Sequence, residues 1–152
     1  MKKNVILFGT STPRSGSALV SNILSAHKDV IITKDLIHFF RHIYKKYSPI
    51  TKKSNQYKLV YEMCLRIRIR KKIRLSPSKL FKKFDKVNSY GDVIKVLSDY
   101  ILSKNQKKTI TGESANGEWR NIENFLNLNK KHKSYQVIRD PRAILVSWKK
   151  LT

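Results

Sequence analysis

Cysteine is nearly absent from the sequence, which has one such residue, Cys64, among 152. A single cysteine excludes a disulfide framework, and no cluster of Cys and His has the spacing of zinc ligands. Long apolar runs are absent too, because none approaches the roughly 18 residues of a membrane-spanning helix. A strand-like segment begins at Val5 and leaves no room for a signal peptide. We therefore expect a cytoplasmic protein without a metal site.

Acidic residues are scarce as well. The chain has 33 Lys and Arg against 10 Asp and Glu, a formal net charge of +23. Residues 41–86 hold 16 of the basic residues and only two acids, Glu62 and Asp85. This excess indicates attraction of an anionic partner, such as an acidic glycan, a lipid headgroup or a nucleic acid. A compositional habit is the alternative, since Lys, Asn and Ile are abundant throughout, and both interpretations stay open.

The lysine of nucleotide-triphosphate-binding loops is also missing. The apolar run Val5–Phe8 is followed by P-R-S-G-S-A-L at residues 13–19, a pattern that predicts a buried strand, a tight loop and a helix. Backbone N–H groups converge at such a helix N-terminus and bind anions. No G-K-[ST] occurs, and Arg14 stands before the glycine. The pattern favours an anion site, with an ordinary strand-to-helix turn as the alternative.

A second segment has the same organisation. The strand-like run Tyr135–Ile138 is followed by Arg139 and by a helix that is expected to begin at Pro141, with Asp140 as its N-cap. Ser147 lies about two helical turns further on, so Arg139 and Ser147 can face one point. Arginine and serine together suit a terminal phosphate, because they combine charge and fork geometry with a hydroxyl donor.

Together the two segments resemble the PAPS-dependent sulfotransferases. P-R-S-G-S at residues 13–17 is similar to the 5′-phosphosulfate loop of that family, and V-I-R-D-P-R-A-I-L-V-S at 137–147 is similar to its 3′-phosphate motif. The resemblance covers about residues 3–40 and 108–152. It implies transfer of a sulfonate group from PAPS to a hydroxyl or amine, with PAP as product and no metal. One departure is Ala18, where the family usually has a second hydroxyl residue.

The resemblance also implies a role for each motif residue. Sulfonate transfer depends mostly on positioning and on stabilisation of charge at the leaving oxygen. Arg14 suits that oxygen because its guanidinium stays protonated and donates directionally. Backbone N–H groups of the loop and the Ser17 hydroxyl are expected to hold the phosphosulfate. The expected cofactor-binding residues are Arg14, Ser15, Gly16, Ser17, Ala18, Arg139 and Ser147.

Asp35 is the first candidate for the general base that takes the acceptor proton. It follows the predicted strand Val30–Ile32, at the same sheet edge as the phosphate loop. A-H-K-D-V at residues 26–30 resembles A-H-P-D-V, which leads to a Glu in the sulfotransferases that act on protein tyrosine. K-D-L-I-H-F-F at residues 34–40 resembles K-E-x-H-F-F of the glycan-directed members. The alternative is that Asp35 caps a helix beginning at Leu36.

His38 and Glu113 are rival candidates for the base or for acceptor binding. Histidine is a common general base at neutral pH, but apolar neighbours favour a packing role for His38. Glu113 follows the predicted strand Thr109–Thr111, at the point where cytosolic family members place a catalytic His. It is expected to act as base, to orient the acceptor or to bind Arg120.

Strands that alternate with helices predict an α/β fold, a P-loop-like parallel sheet flanked by helices in three layers. We expect one domain over residues 1–152, C-terminally incomplete because family members continue with further helices. A basic, mainly helical insertion is expected at about 41–107. Since ligands bind beyond the carboxyl ends of parallel strands, the loops at 10–17 and 139–140 are expected to meet.

The predicted strands are Val5–Phe8, Val30–Ile32, Thr109–Thr111 and Tyr135–Ile138. The predicted helices are Ala18–Ser25, Leu36–Lys46, Gln56–Ile69, Tyr90–Ser103, Trp119–Leu128 and Pro141–Lys150.

Two other functions stand as alternatives. A basic nucleic-acid-binding module would use the charge of residues 66–74 and the stacking rings of nearby tyrosines. Those tyrosines are Tyr44, Tyr47, Tyr57 and Tyr61. A P-loop kinase is disfavoured by the missing lysine. The sulfotransferase interpretation instead expects an acceptor partner, a carbohydrate, lipid or protein, that is anionic if the basic excess is functional, and no specific nucleic acid.

Overall fold

The structure, a computed structural model, describes residues 5–71, 75–103 and 108–149. The chain divides into two compact units, Met1–Asp35 with Asn105–Thr152 and Leu36–Lys104. The expectation of one domain with an insertion at about 41–107 stays a prediction.

The described residues form four strands and seven α-helices. The strands are β1 (Val5–Ser11), β2 (Val30–Lys34), β3 (Ile110–Asn116) and β4 (Lys133–Val137). The helices are α1 (Ser17–Ala26), α2 (Phe39–His42), α3 (Lys53–Lys71), α4 (Pro77–Phe81), α5 (Tyr90–Ser103), α6 (Ile122–Leu128) and α7 (Pro141–Lys149).

The first unit is built on a parallel sheet with the strand order β2-β3-β1-β4. In register, Ser11 at the end of β1 lies beside Asn116 of β3 and Val137 of β4. The carboxyl ends of these three strands are therefore gathered at one edge of the sheet. This arrangement brings together residues that are far apart in sequence.

Helices lie on both faces of this sheet. On one face, Val20 and Leu24 of α1 border a groove together with Leu7 of β1. On the other face, the rings of Phe8 in β1 and Phe125 in α6 stand 5.3 Å apart between their centroids. The prediction of an α/β fold with three layers is thereby confirmed.

The second unit is helical and packs around apolar side chains. The fully buried ones include Ile37, Ile43, Leu59, Val60, Met63, Phe84 and Val93. The side-chain amide of Gln56, itself buried in α3, donates to the backbone oxygen of Val87 at 2.8 Å. At the start of α5, Asp92 N–H donates to Ser89 Oγ at 3.2 Å and Ser89 N–H donates to Asp92 Oδ2 at 2.9 Å. This reciprocal cap explains why the predicted bounds of α5 are correct.

Some boundaries differ from the predictions. The helix predicted over Leu36–Lys46 is wrong, because only α2 is helical there and both His38 (φ 55°) and Lys45 (φ 61°) have left-handed backbone. β3 continues to Asn116, five residues beyond its predicted end. The segment predicted as a helix from Trp119 begins with a 3₁₀ turn. Lys150, the last predicted residue of the final helix, lies outside the described residues.

Candidate functional site

A tight loop joins β1 to α1. Arg14 (φ 67°) and Gly16 (φ 91°) both have left-handed backbone, and Ser15 N–H donates to the Thr12 oxygen at 3.3 Å. A Cβ on Gly16 would meet nothing within 4 Å, so glycine is favoured there by backbone conformation alone. Gly16 is the N-cap of α1 and offers no side-chain acceptor. The N–H groups of the first helical turn therefore remain donors for an anion.

Three buried hydroxyl groups, in the loop and near the ends of β1 and β3, have no partner among the described residues. Ser15, Thr10 and Ser114 each have a side-chain oxygen that forms no hydrogen bond among the described residues. Burying such a group unpaired typically costs about 1–3 kcal/mol. Because Ser114 lies beside Gly9 in register, two neighbouring strands and the loop contribute these hydroxyls. Thr10 faces the α6 side of the sheet, as Phe8 does, and Ser114 faces the α1 side. The Ser15 hydroxyl, which lies in the loop itself, is therefore the one that suits a bound oxyanion.

The second motif meets the loop directly. Arg14 Nε donates to Ser147 Oγ at 2.9 Å, and Arg139 Nη1 donates to the backbone oxygen of Arg14 at 3.1 Å. These partners are 133 and 125 residues apart in sequence. The prediction that the two loops come together is confirmed. It follows from the adjacency of β1 and β4.

Helix α7 begins directly after Arg139 and Asp140 with a capped turn. Asp140 Oδ1 accepts a hydrogen bond from Arg142 N–H at 2.9 Å, so Asp140 caps the helix as predicted. Its carboxylate also binds the Arg142 guanidinium, with 2.7 Å between Oδ2 and Nη2. These hydrogen bonds from Arg142 lower the pKa of Asp140. Arg139 directly precedes this capped turn.

Asp35 is fixed at the carboxyl edge of the sheet. Its N–H donates to the Ser114 oxygen at 2.9 Å, and its Oδ1 accepts from Asn116 N–H at 3.3 Å. Its backbone is left-handed, with φ 47°. The alternative that Asp35 caps a helix beginning at Leu36 is wrong, because α2 begins only at Phe39. The carboxylate binds the end of β3 instead.

Asn116 is a site residue that sequence reasoning missed. Its Oδ1 accepts from Ser11 Oγ at 2.6 Å and from Ser17 Oγ at 3.1 Å, while its N–H binds Asp35. One residue therefore joins the end of β1, the start of α1 and the candidate base. The Ser17 hydroxyl proton is engaged with Asn116, which leaves the loop N–H groups as the more direct anion donors. No sequence signal pointed to it, because the predicted strand ends at Thr111, five residues before Asn116.

Glu113 and His38 lie in different surroundings. Glu113 is in the middle of β3, beside Phe8 in register, so its side chain lies on the sheet face that packs against α6. Ser11 and Asn116 are on the opposite face, the one that carries α1. His38 belongs to the second unit, where it is buried, precedes α2 and stands edge-on to His42 at 6.1 Å between ring centroids. Their proposed roles stay predictions.

Over residues 5–71, 75–103 and 108–149, no group of three or more His, Cys, Asp and Glu side chains is placed to hold a metal ion. None of the helices described there is long and apolar enough to cross a bilayer. A cytoplasmic location stays a prediction.

Comparison with known proteins agrees with the site geometry. The model of the sulfotransferase family matches residues 7–152. The chain therefore belongs to the sulfotransferase family. No curated protein and no solved structure gives a significant match.

Proposed function

We propose that this protein transfers a sulfonate group from PAPS to a hydroxyl or amine of an acceptor. The observation that carries the proposal is the contact between the two phosphate-binding motifs, Arg14 with Ser147 at 2.9 Å and Arg139 with the Arg14 oxygen at 3.1 Å. Membership of the sulfotransferase family supports the transfer of sulfonate. The motif contact supports PAPS as the donor, because that molecule carries phosphate groups at two ends.

The residues present fit such a donor. The open N-terminus of α1 and the unpartnered Ser15 hydroxyl suit the phosphosulfate end. Arg139 and Ser147 suit the 3′-phosphate, with a guanidinium fork and a hydroxyl from one helix start. Both Arg14 and Arg139 are exposed at the sheet edge, where a ligand can reach their guanidinium groups.

The chain contributes charge stabilisation and a base to the reaction. PAPS supplies a sulfonate attached to a phosphate leaving group. Arg14 stabilises negative charge at the oxygen that bridges sulfur and phosphorus, since it stays protonated and lies in the loop itself. Asp35 takes the proton of the acceptor hydroxyl or amine, and its hydrogen bond from Asn116 N–H fixes its direction. The acceptor class is a carbohydrate, lipid or protein.

Ligand-dependent thermal unfolding tests the donor. PAP, 5′-AMP without the 3′-phosphate, and ATP with magnesium are each added to the protein. PAP without magnesium is expected to stabilise most; at about a hundred times its Kd it adds about 2.7 kcal/mol and raises Tm by about 5–10 °C. A shift with ATP and magnesium but none with PAP would favour a kinase. If none of the three ligands raises Tm, the protein has no nucleotide-binding site of the kind proposed.

A further inference from the structure

The outer face of α3 carries an apolar stripe that the second unit covers only in part. Tyr57, Tyr61, Leu65 and Ile69 recur every four residues, so they lie on one side of the helix. Tyr57, Tyr61 and Ile69 are 50%, 56% and 68% exposed. The opposite side of α3 is the buried one, and it contains Leu59, Met63 and Ile67, among others. This surface helix therefore has two apolar faces. The inner one is buried, whereas the outer one is covered only in part, by contacts such as the edge-on packing of Tyr57 on Phe81 at 5.5 Å between ring centroids.

Cations lie on the same exposed face. Lys58 and Arg68 are exposed there, and neither has a carboxylate partner among the described residues. We name the α3 face as the surface formed by Tyr57, Lys58, Tyr61, Leu65, Arg68 and Ile69. A cavity of about 640 Å³ borders it, lined in part by Tyr47, Tyr61 and Ile69.

Glu62, an acid that lines this cavity, is neutralised within the unit. Glu62 binds Lys46 at 2.7 Å and Arg66 at 2.6 Å, and the Tyr47 hydroxyl also donates to it. Burial alone would raise the pKa of Glu62, but these hydrogen bonds outweigh burial and lower the pKa to about 2. The carboxylate therefore stays ionised and paired with two cations. It leaves no net negative charge against an anionic partner.

We propose that the α3 face docks on an anionic lipid bilayer, with its apolar stripe in the headgroup region and its cations on lipid phosphates. Charge complementarity argues for an anionic occupant, since residues 41–86 contain 16 Lys and Arg against two acids. The apolar stripe argues for a bilayer rather than a nucleic acid, because a phosphate backbone offers no apolar layer to Leu65 and Ile69. Tyrosine side chains are enriched at the interface between the membrane and water, where the ring is in the headgroup region. The proposal is independent of sulfonate transfer.

Vesicle co-sedimentation tests the α3 face. The protein is expected to sediment with vesicles of equimolar phosphatidylcholine and phosphatidylglycerol, and not with phosphatidylcholine alone. Ile69→Ser is expected to weaken binding about tenfold by removing apolar area. Ile23→Ser is the matched control, because Ile23 on α1 is 61% exposed. Lys58→Glu with Arg68→Glu is expected to cost about thirtyfold or more, and Lys28→Glu with Lys130→Glu is its control.

Competing polyanions separate the outcomes. Each variant is first shown to unfold at the wild-type temperature, and Tyr57→Ser replaces Ile69→Ser if that variant does not. Loss of binding in Ile69→Ser and in the charge reversal, with both controls unchanged, supports the bilayer. Vesicle binding that Ile69→Ser leaves intact overturns the proposal, because the stripe then does not insert. Binding to poly-U RNA or heparin without vesicle binding overturns it as well.

Discussion

In the first unit, hydrogen bonds at the carboxyl end of the sheet join residues that are far apart in sequence, 99 positions for Ser17 with Asn116 and 133 positions for Arg14 with Ser147. In the second unit, the side chains bound to Glu62 come from within 16 positions of it. The first arrangement depends on the register of parallel strands. The second depends on one helix and the turn beside it. The polar cluster of the first unit therefore depends on long-range tertiary structure, whereas the cluster around Glu62 depends on contacts between residues close in sequence.

This difference predicts different consequences of mutation. Arg14 is exposed at the sheet edge, so its loss is expected to reduce ligand affinity and the rate of transfer with little effect on folding. Glu62 is largely buried, with 13% of its side chain exposed, and three side chains depend on it. Its loss is expected to change stability and to leave nucleotide binding intact. Four predictions test this separation.

The largest effect is expected from Arg14→Ala. Removal of a guanidinium that stabilises transition-state charge costs about 10³–10⁵ in kcat for phosphoryl transfer, and sulfonate transfer has the same requirement. Sulfate transfer from radiolabelled PAPS to a panel of carbohydrates, lipids and phenols measures the loss, and calorimetry measures the accompanying fall in PAP affinity. The urea midpoint is expected to stay at the wild-type value.

Arg142→Ala is the matched control for that variant. Arg142 is 89% exposed and pairs with Asp140 in the neighbouring motif, so the variant removes a similar charge close by. We expect transfer within about threefold of wild type, as for a surface ion pair. If Arg14→Ala and Arg142→Ala retain equal turnover and PAP affinity, Arg14 has no role in transfer.

Asp35→Asn is expected to slow transfer by about 10²–10⁴, because a positioned base is lost. Asparagine still offers an oxygen to Asn116 N–H and tolerates the left-handed backbone of φ 47°. PAP affinity and the unfolding midpoint should therefore be unchanged. The kcat is measured with the best acceptor of the panel. Asp29→Asn, at the other end of β2, is the control.

Retention of kcat within about threefold in Asp35→Asn would move the role of base to Glu113. Glu113→Gln is then the informative variant. Because Glu113 lies on the α6 side of the sheet, its involvement would require the acceptor to approach from that face.

The sheet and the meeting of the two motifs were predictable from the sequence. Apolar runs with small residues after them indicate strands and loops, and parallel topology then brings Arg14 and Arg139 together. The bounds of α5 were also predictable, because Ser89 and Asp92 form a local cap and an apolar stripe follows. These signals are local or follow from topology alone.

The role of Asn116 was not predictable in the same way. G-E-S after Thr111 contains no apolar residue, so propensity ends the strand there, whereas pairing with β1 and β2 on both sides extends it. The helix predicted over the segment after Asp35 is wrong for the opposite reason. Ile37, Phe39 and Ile43 are all buried, so apolar spacing could not show a single helical face there.

Glu62→Gln is expected to lower the free energy of unfolding by about 3 kcal/mol near neutral pH, from a carboxyl pKa of about 2 against 4.5 in the unfolded chain. Because the folded pKa is the lower one, this stability is present above pH 4.5 and is lost as pH falls through 2. The difference between variant and wild type should therefore shrink over that window. Urea unfolding at several pH values measures it.

Asp85→Asn is the control for Glu62→Gln. The Asp85 carboxylate is 81% exposed and lies 3.6 Å from Lys53, so its loss should change stability by less than about 1 kcal/mol. PAP affinity is expected to be the same in both variants and in wild type. A Glu62→Gln protein as stable as wild type at pH 7 would show that the cations around Glu62 do not stabilise the unit.

The smallest effect is expected from the 3′-phosphate pair. Arg139→Ala and Ser147→Ala are each expected to reduce the preference for PAP over 5′-AMP by about ten- to a hundredfold, the value of one hydrogen bond to a charged group. Calorimetry with both ligands gives the ratio. Arg139 is exposed and Ser147 half-buried, so neither change should alter the unfolding midpoint.

Because Arg14 Nε donates to Ser147 Oγ, the Ser147→Ala variant also frees the Arg14 guanidinium. Loss of preference in Arg139→Ala alone would mean that Ser147 serves to position Arg14. The Ser147→Ala variant would then lower kcat without changing the ratio of the affinities for PAP and 5′-AMP. An unchanged ratio in both variants, with unchanged kcat, would make the second motif a purely structural partner of the loop. The contact between Arg14 and Ser147 would then no longer support PAPS as the donor.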